Sequence, residues 1–215
     1  HKYFLRFTYT EETKLSRTAV KDQTICSVDM GINTDAVCTI MRADGTVLGR
    51  RFLNFPSEKD RLYRVLGRVR RFQRQHGSGQ SGSRWAYAKR LNMELARKVS
   101  GAITAYAWEQ GAEVIVFEYL EIQGRKQGGK KQRLHMWRKR DIQKQCEHQA
   151  HRRGIRVSRV SARNTSRQAF DGSGKVARNP ENHSLCSFTT GKQYNCDLSA
   201  AYNIGARYFI RELLK

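Results

Sequence analysis

Three acids stand in this chain at positions suited to phosphodiester chemistry. Asp29 closes the apolar run Ile25-Cys26-Ser27-Val28, Glu118 closes Val114-Ile115-Val116-Phe117, and Asp197 opens the last helical stretch. Two-ion hydrolysis needs several carboxylates at one point, because divalent ions about 3.5–4 Å apart must hold both attacking and leaving oxygens. Mg²⁺, or Mn²⁺ in its place, takes such hard oxygen ligands. An acid at the end of an apolar strand is costly unless a cation or hydrogen bonds compensate it. Singly, each acid has an ordinary use: Asp29 in a turn, Glu118 in a salt bridge, Asp197 as a helix N-cap. Together, in the order first strand, fourth strand, last helix, they point to a metal site.

The elements that must position these acids follow from the hydrophobic period. Lys2–Tyr9 alternates as a strand, with Tyr3, Leu5, Phe7 and Tyr9 on one face. Thr10–Gln23 reads as a connection. Thr24–Asp29, Ala36–Met41 and Thr46–Phe52 are three antiparallel strands, the last two joined by the hairpin signal Asp44-Gly45. Ser57 is placed to cap a helix running to about Gln75, with Leu62, Val65, Leu66, Val69 and Phe72 on its apolar stripe. Gly77–Ser83 is a Gly/Ser linker, natural or spliced. Arg84–Gln110 is a second helix, closed by Gly111. Glu113–Glu118 is a continuous apolar run, the pattern of a strand buried on both faces. Gly124–Lys131 is a basic, glycine-containing loop. Leu134–Arg153 reads as a helix, Ile155–Val160 as an edge strand, 161–196 as irregular, and Asp197–Leu214 as a closing helix. The order βββ-α-β-α-β-α is that of an α/β, ribonuclease-H-like mixed sheet flanked by helices.

Charge narrows the partner. Lys and Arg number 41 against 19 acids, a formal net charge of +22. Such an excess favours a polyanion, nucleic acid before an acidic membrane surface. From Lys59 to Lys98 there are 12 basic residues against Asp60 and Glu94. From Glu121 to Arg178 there are 17 against four acids. Neutralising phosphates over such a surface makes binding steeply salt-dependent. Lys126, Lys130, Lys131, Arg133 and Arg138 are the candidates for backbone contact, with His135, Trp137 and Tyr119 nearby as possible stacking groups. No groove-reading motif is present, and no apolar run approaches the roughly 18–20 residues that span a bilayer. Five cysteines without a CxxC pair fit a reducing compartment better than a disulfide scaffold. The chain begins at His1 and reads as an excerpt.

The residues carry a resemblance. Ser27-Val28-Asp29-Met30-Gly31-Ile32-Asn33, Val116-Phe117-Glu118 and Asp197-Leu198-Ser199-Ala200-Ala201-Tyr202-Asn203-Ile204 resemble the three RuvC motifs of TnpB proteins and type V CRISPR (Cas12-like) effectors. Trp137–Val160 and Asn164-Thr165-Ser166 resemble the segment between the second and third motifs. The resemblance implies the RuvC lobe of an RNA-guided DNA endonuclease of the prokaryotic cytoplasm, with Asp29, Glu118 and Asp197 as Mg²⁺ ligands and guide RNA and target DNA as partners. It divides the chain into 1–23, a terminal strand and linker from a preceding wedge-like barrel; 24–160, the RuvC core with a helical insertion at 57–110; 161–196, a target-loading loop; and 197–215, the final helix. The N-terminal recognition lobe lies outside the sequence.

One departure stands out. Family members usually carry two cysteine pairs in the loop, whereas here Ala169 and Gly172 occupy the first pair's places and only Cys186 remains of the second. One thiolate cannot close a tetrahedral zinc site, so no zinc is expected and the loop is a degenerate zinc-ribbon. It should be held by Asn164, Thr165, Ser166 and Asn182, with Phe170 and Phe188 as apolar anchors. Two other readings share the same residues: a catalytically silent RNA-guided DNA-binding module, and a transposase or integrase with this core.

Overall fold

The computed structural model describes residues 3–31, 33–77, 79–119, 130–182 and 184–215, with backbone alone for 130–137. Strands β1 (Thr24–Asp29), β2 (Ala36–Arg42) and β3 (Val47–Leu53) form an antiparallel meander. The β2–β3 turn is built as Asp44-Gly45 implies. Gly45 takes φ 86°, and Asp44 Oδ1 accepts from Thr46 N at 2.9 Å.

Two long helices follow, α1 (Pro56–His76) and α2 (Gly82–Glu109). Ser57 does not cap α1. Pro56 opens the helix after Phe55, with no side-chain cap, because proline's fixed φ suits a first turn whose N–H has no partner anyway. The distal hairpin has its own small core of Leu62, Leu66, Ala88 and Leu91. The second half of α2 instead packs Leu95, Val99 and Ile103 onto the sheet.

Strand β4 (Val114–Glu118) pairs parallel to β1, and β5 (Arg156–Val160) parallel to β4, giving the order β3-β2-β1-β4-β5. The apolar run of β4 is buried on both faces, as its composition requires. Ile115 and Phe117 join a core with α2 and α3 (Lys130–His151); Val114 and Val116 join a second core under α4 (Cys196–Leu213). Burying each such side chain contributes about 1.5–3 kcal/mol. The sheet is thus a rigid platform between helical layers. Gly205 lets α4 approach closely, since a Cβ there would lie 2.6 Å from Met41 Sδ and 3.0 Å from Ser27 Oγ.

Three expectations are corrected. Residues 3–9 form no strand, and Tyr3, Leu5, Phe7 and Tyr9 are exposed. A lone strand has no ladder partner to satisfy its backbone. Residues 161–196 are less irregular than their composition implies. They include a small antiparallel sheet of β6 (Ala177–Arg178), β7 (Leu185–Ser187) and β8 (Gln193–Asn195). Helix α3 also begins at Lys130, so Lys130, Lys131 and Arg133 belong to a helix rather than to the end of a loop. Among the described residues, no helix is long and apolar enough to cross a membrane.

Candidate functional site

The parallel β1–β4 pairing brings the first two acids together. Val28 stands opposite Phe117, so Asp29 and Glu118 leave the sheet side by side at the same end. The third acid arrives from the other layer. The sequence places Asp197 at a helix N-cap, but the cap is Asn195, whose side chain accepts from Leu198 N at 2.9 Å. Asp197 is left in the first helical turn. Its carboxylate accepts a hydrogen bond from Thr34 and reaches the turn that follows β1. There a Cβ on Gly31 would sit 3.6 Å from Asp197 Oδ2 and 2.8 Å from Thr34 O, too close to backbone for any side chain.

Electrostatics register the crowding. Burial first, then the Glu118 charge and more weakly Asp197, push the Asp29 carboxyl up to about 7. Burial also raises Asp197, against the pull of Arg178 and Lys139. Lys139, on α3, acts on both Asp29 and Asp197. Sequence reasoning passed over Lys139 and Arg178, since neither position differs in type from the many exposed bases around it. The three acids share one end of the sheet without closing on a point: among the described residues, no three His, Cys, Asp or Glu side chains are grouped to hold a metal ion. The donor set nevertheless suits a hard divalent cation, because half-buried carboxylates whose charges repel are what such a cation neutralises.

Glu118 is held at both ends. Gln143 Nε2 donates to its main-chain carbonyl at 2.8 Å. Thr165 Oγ1 donates to its carboxylate oxygen Oε1. Asn203 Nδ2, on α4, donates to the carbonyls of Thr165 at 2.9 Å and Gln168 at 2.7 Å.

The basic candidates divide. Lys126 lies outside the described residues. For Lys130, Lys131 and Arg133 only the backbone on α3 is described, and the same holds for His135 and Trp137. Tyr119 is exposed beside Glu118. Arg138 is not a surface group. It is 7% exposed, with its Nη2 4.0 Å from Asp35 Oδ1, and so carries the charge of a buried aspartate that also meets Lys59 at 3.5 Å.

Beside the acids, the small sheet of β6–β8 and the loop before it (here the ribbon, for its shape alone) are held by ladder and turn hydrogen bonds and by aromatic contacts. Phe170 packs edge-on against Phe188, Tyr194 and Tyr202 at 4.9–5.4 Å between ring centroids. Of the expected polar holds, Thr165 bonds as described, Asn164 adopts φ 64°, and Asn182 Oδ1 accepts from Ser184 N. Cys186 and Cys196 share an apolar cluster with Ala169 and Phe188. There, burial and the neighbouring Cys196 push the Cys186 thiol up to about 12.

A mixed α/β fold with two strand-end acids side by side, and a third on α4 beyond them, is what the geometry defines. Residues 140–204 match the family model described as Cas12f1-like, TNB domain. Solved structures share the fold. The Cas12f1–sgRNA–target DNA complex aligns with TM-score 0.62 and 16% identity over 88% of this chain and 51% of its own. The AacC2c1–sgRNA binary complex aligns with TM-score 0.64 and 10% identity, over 87% and 39%. The mini-RNA-guided endonuclease CRISPR-Cas phi3 aligns with TM-score 0.54 and 12% identity, over 86% and 45%. The chain therefore spans about half, or less, of the proteins it resembles in fold. No curated protein matches it by sequence. The family model covers under a third of the chain, and the solved structures share its fold.

Proposed function

We propose that this chain is the nuclease lobe of an RNA-guided DNA endonuclease, with a ribonuclease-H-like (RuvC) sheet whose Asp29, Glu118 and Asp197 hold Mg²⁺. The observation that carries the reading is that the β1 and β4 acids leave the sheet side by side, with the α4 acid near enough for its charge to act on Asp29, within a chain whose residues 140–204 match a Cas12f1-like domain. Bound Mg²⁺ would supply an activated water and neutralise the charge that develops on the phosphate. The chain's own groups prepare the site. The paired strand ends fix Asp29 beside Glu118, Thr165 orients the Glu118 carboxylate, and Lys139 keeps positive charge where a DNA phosphate must approach acids. Arginines and lysines of α1 and α3 grip the guide RNA and target DNA through phosphates, and base pairing with the guide provides sequence choice.

The test is cleavage of guide-matched DNA by the full chain with its guide RNA, in Mg²⁺ and in EDTA. Cutting in Mg²⁺ alone, lost on the order of 10³-fold or more in Asp29→Ala with DNA affinity retained, is the expected result. One observation favours a second reading, a silent DNA-binding module: the described acids are not grouped tightly enough to ligate one ion as they stand. Guide-dependent DNA binding without any cutting would select it.

A further inference from the structure

We propose that Thr165 and Asn203 are positioning residues for Glu118, so that helix α4 sets two of the three acids, Asp197 directly and Glu118 through the Thr165 turn. The inference rests on the nuclease reading and goes beyond it, to what holds the site together. A glutamate carboxylate swings about three side-chain bonds, and a ligand that swings binds poorly. Oriented ligands are themselves hydrogen-bonded by a surrounding layer of groups.

The donor to Glu118 is well placed for this. Thr165 is 2% exposed, and its hydroxyl donates to Oε1, leaving Oε2 for a cation. The Ala162 carbonyl lies 3.2 Å from the same hydroxyl, but one proton serves one acceptor at a time, and the charged one binds it more strongly. The hydroxyl faces inward because of the turn that carries it. Asn164 takes φ 64°, a conformation that asparagine tolerates better than most residues, and its carbonyl accepts from Arg167 N and Gln168 N.

Helix α4 holds this turn through a single side chain. Both carbonyls that Asn203 engages belong to it, Thr165 and Gln168, so one amide group spends both protons there. Asn203 lies on the helix that begins with Cys196-Asp197 and packs closely on β1 through Gly205. A shift of α4 along the sheet would therefore move Asp197 and release Glu118 together.

The experiment uses the full chain with its guide RNA. It compares Thr165→Val, Thr165→Ser and Asn203→Asp for Mn²⁺ affinity by electron paramagnetic resonance without DNA, and for kcat and KM of cleavage. Thr165→Val, which keeps shape but removes the donor, should weaken Mn²⁺ binding about 10–100-fold and lower kcat with KM unchanged. Thr165→Ser, which keeps the hydroxyl, should stay within about threefold of wild type. Asn203→Asp sets an acceptor against the two carbonyls and should follow Thr165→Val; it also keeps the test decisive if the valine variant fails to fold. Wild-type Mn²⁺ affinity and kcat in Thr165→Val and Asn203→Asp overturn the proposal while leaving a cutting nuclease. A wild-type chain that neither binds Mn²⁺ nor cuts overturns the nuclease reading and this inference with it.

Discussion

At the end of the sheet, Asp29 and Glu118 follow strands whose preceding four residues are wholly buried, and a parallel ladder dictates their spacing. The ribbon a few residues from Asp197 is built differently. Its strands are two or three residues long, its apolar cluster is Ala169, Cys186, Phe188 and Cys196, and aromatic edges tie it to α4. The ladder imposes a neighbourhood that the charges oppose, and a large core sustains the strain. The ribbon has no such reserve, so it adapts to what it touches. Two acids are thus set by the part of the molecule that cannot yield. The third, along with Thr165 and Arg178, is set where the ribbon meets α4. That division accounts for a cluster that shares one end of the sheet without closing on a point.

The largest effect outside catalysis should come from relieving the sheet pair. Asp29 has its folded pKa raised from 3.8 to about 7. Below pH 3.8 the carboxyl is protonated in both folded and unfolded chains, and nothing is lost. As pH rises from 3.8 to about 7, the unfolded chain releases its proton first, so folding stability falls across that window and stays low above it. The full cost is on the order of 2–4 kcal/mol. Urea melts in EDTA should therefore show Asp29→Asn more stable than wild type by about that amount at pH 8, and equal at pH 3.5. Adding Mg²⁺ should narrow the difference at pH 8. Equal stability at both pH values would mean that the sheet end carries no charge strain, and the contrast with the ribbon would fail.

Much of this was legible in the chain. The strands and the hairpin turn are local signals, since alternation, apolar runs and Asp44-Gly45 act within a few residues. The placing of Asp29 and Glu118 at strand ends follows from them. What was not legible depends on contacts across the fold. Asn195, not Asp197, caps α4, because two neighbouring cap-forming residues compete and the tertiary position of Asp197 decides between them. Arg138 looked like its basic neighbours, yet the fold buries it beside Asp35, the residue just before β2. The Thr165–Glu118 bond spans 47 positions and leaves no periodic trace. The strand expected at Lys2–Tyr9 rested on alternation alone, which supplies no partner strand, and residues 3–9 form none.

The ribbon should answer to its aromatics rather than to charge. Phe170 stands 37% exposed yet touches three rings, and edge-to-face pairs contribute about 0.5–1.5 kcal/mol each beyond burial. Phe170→Ala should cost about 1–3 kcal/mol locally and speed amide exchange in β7 and β8, while exchange in β1 and β4 stays slow. Faster exchange in β1 as well would show that ribbon and sheet open as one unit.

The smallest effect is expected where the two regions meet. Arg178 is exposed on β6, yet its charge lowers the carboxyl of Asp197, which burial otherwise raises. An exposed cation is screened by water and salt, so its pull is weak, on the scale of a surface ion pair. Arg178→Gln should raise the Asp197 pKa at low salt, read by carboxyl carbon NMR. At about 0.5 M salt the difference should all but vanish. Lys139, half-buried on α3, lowers Asp29 as well as Asp197. Lys139→Gln should therefore raise Asp29 and Asp197 together and keep more of its effect in salt. If Arg178→Gln instead moves Asp29 as strongly as Asp197, then the ribbon is electrically part of the sheet site, and the two regions cannot be treated apart.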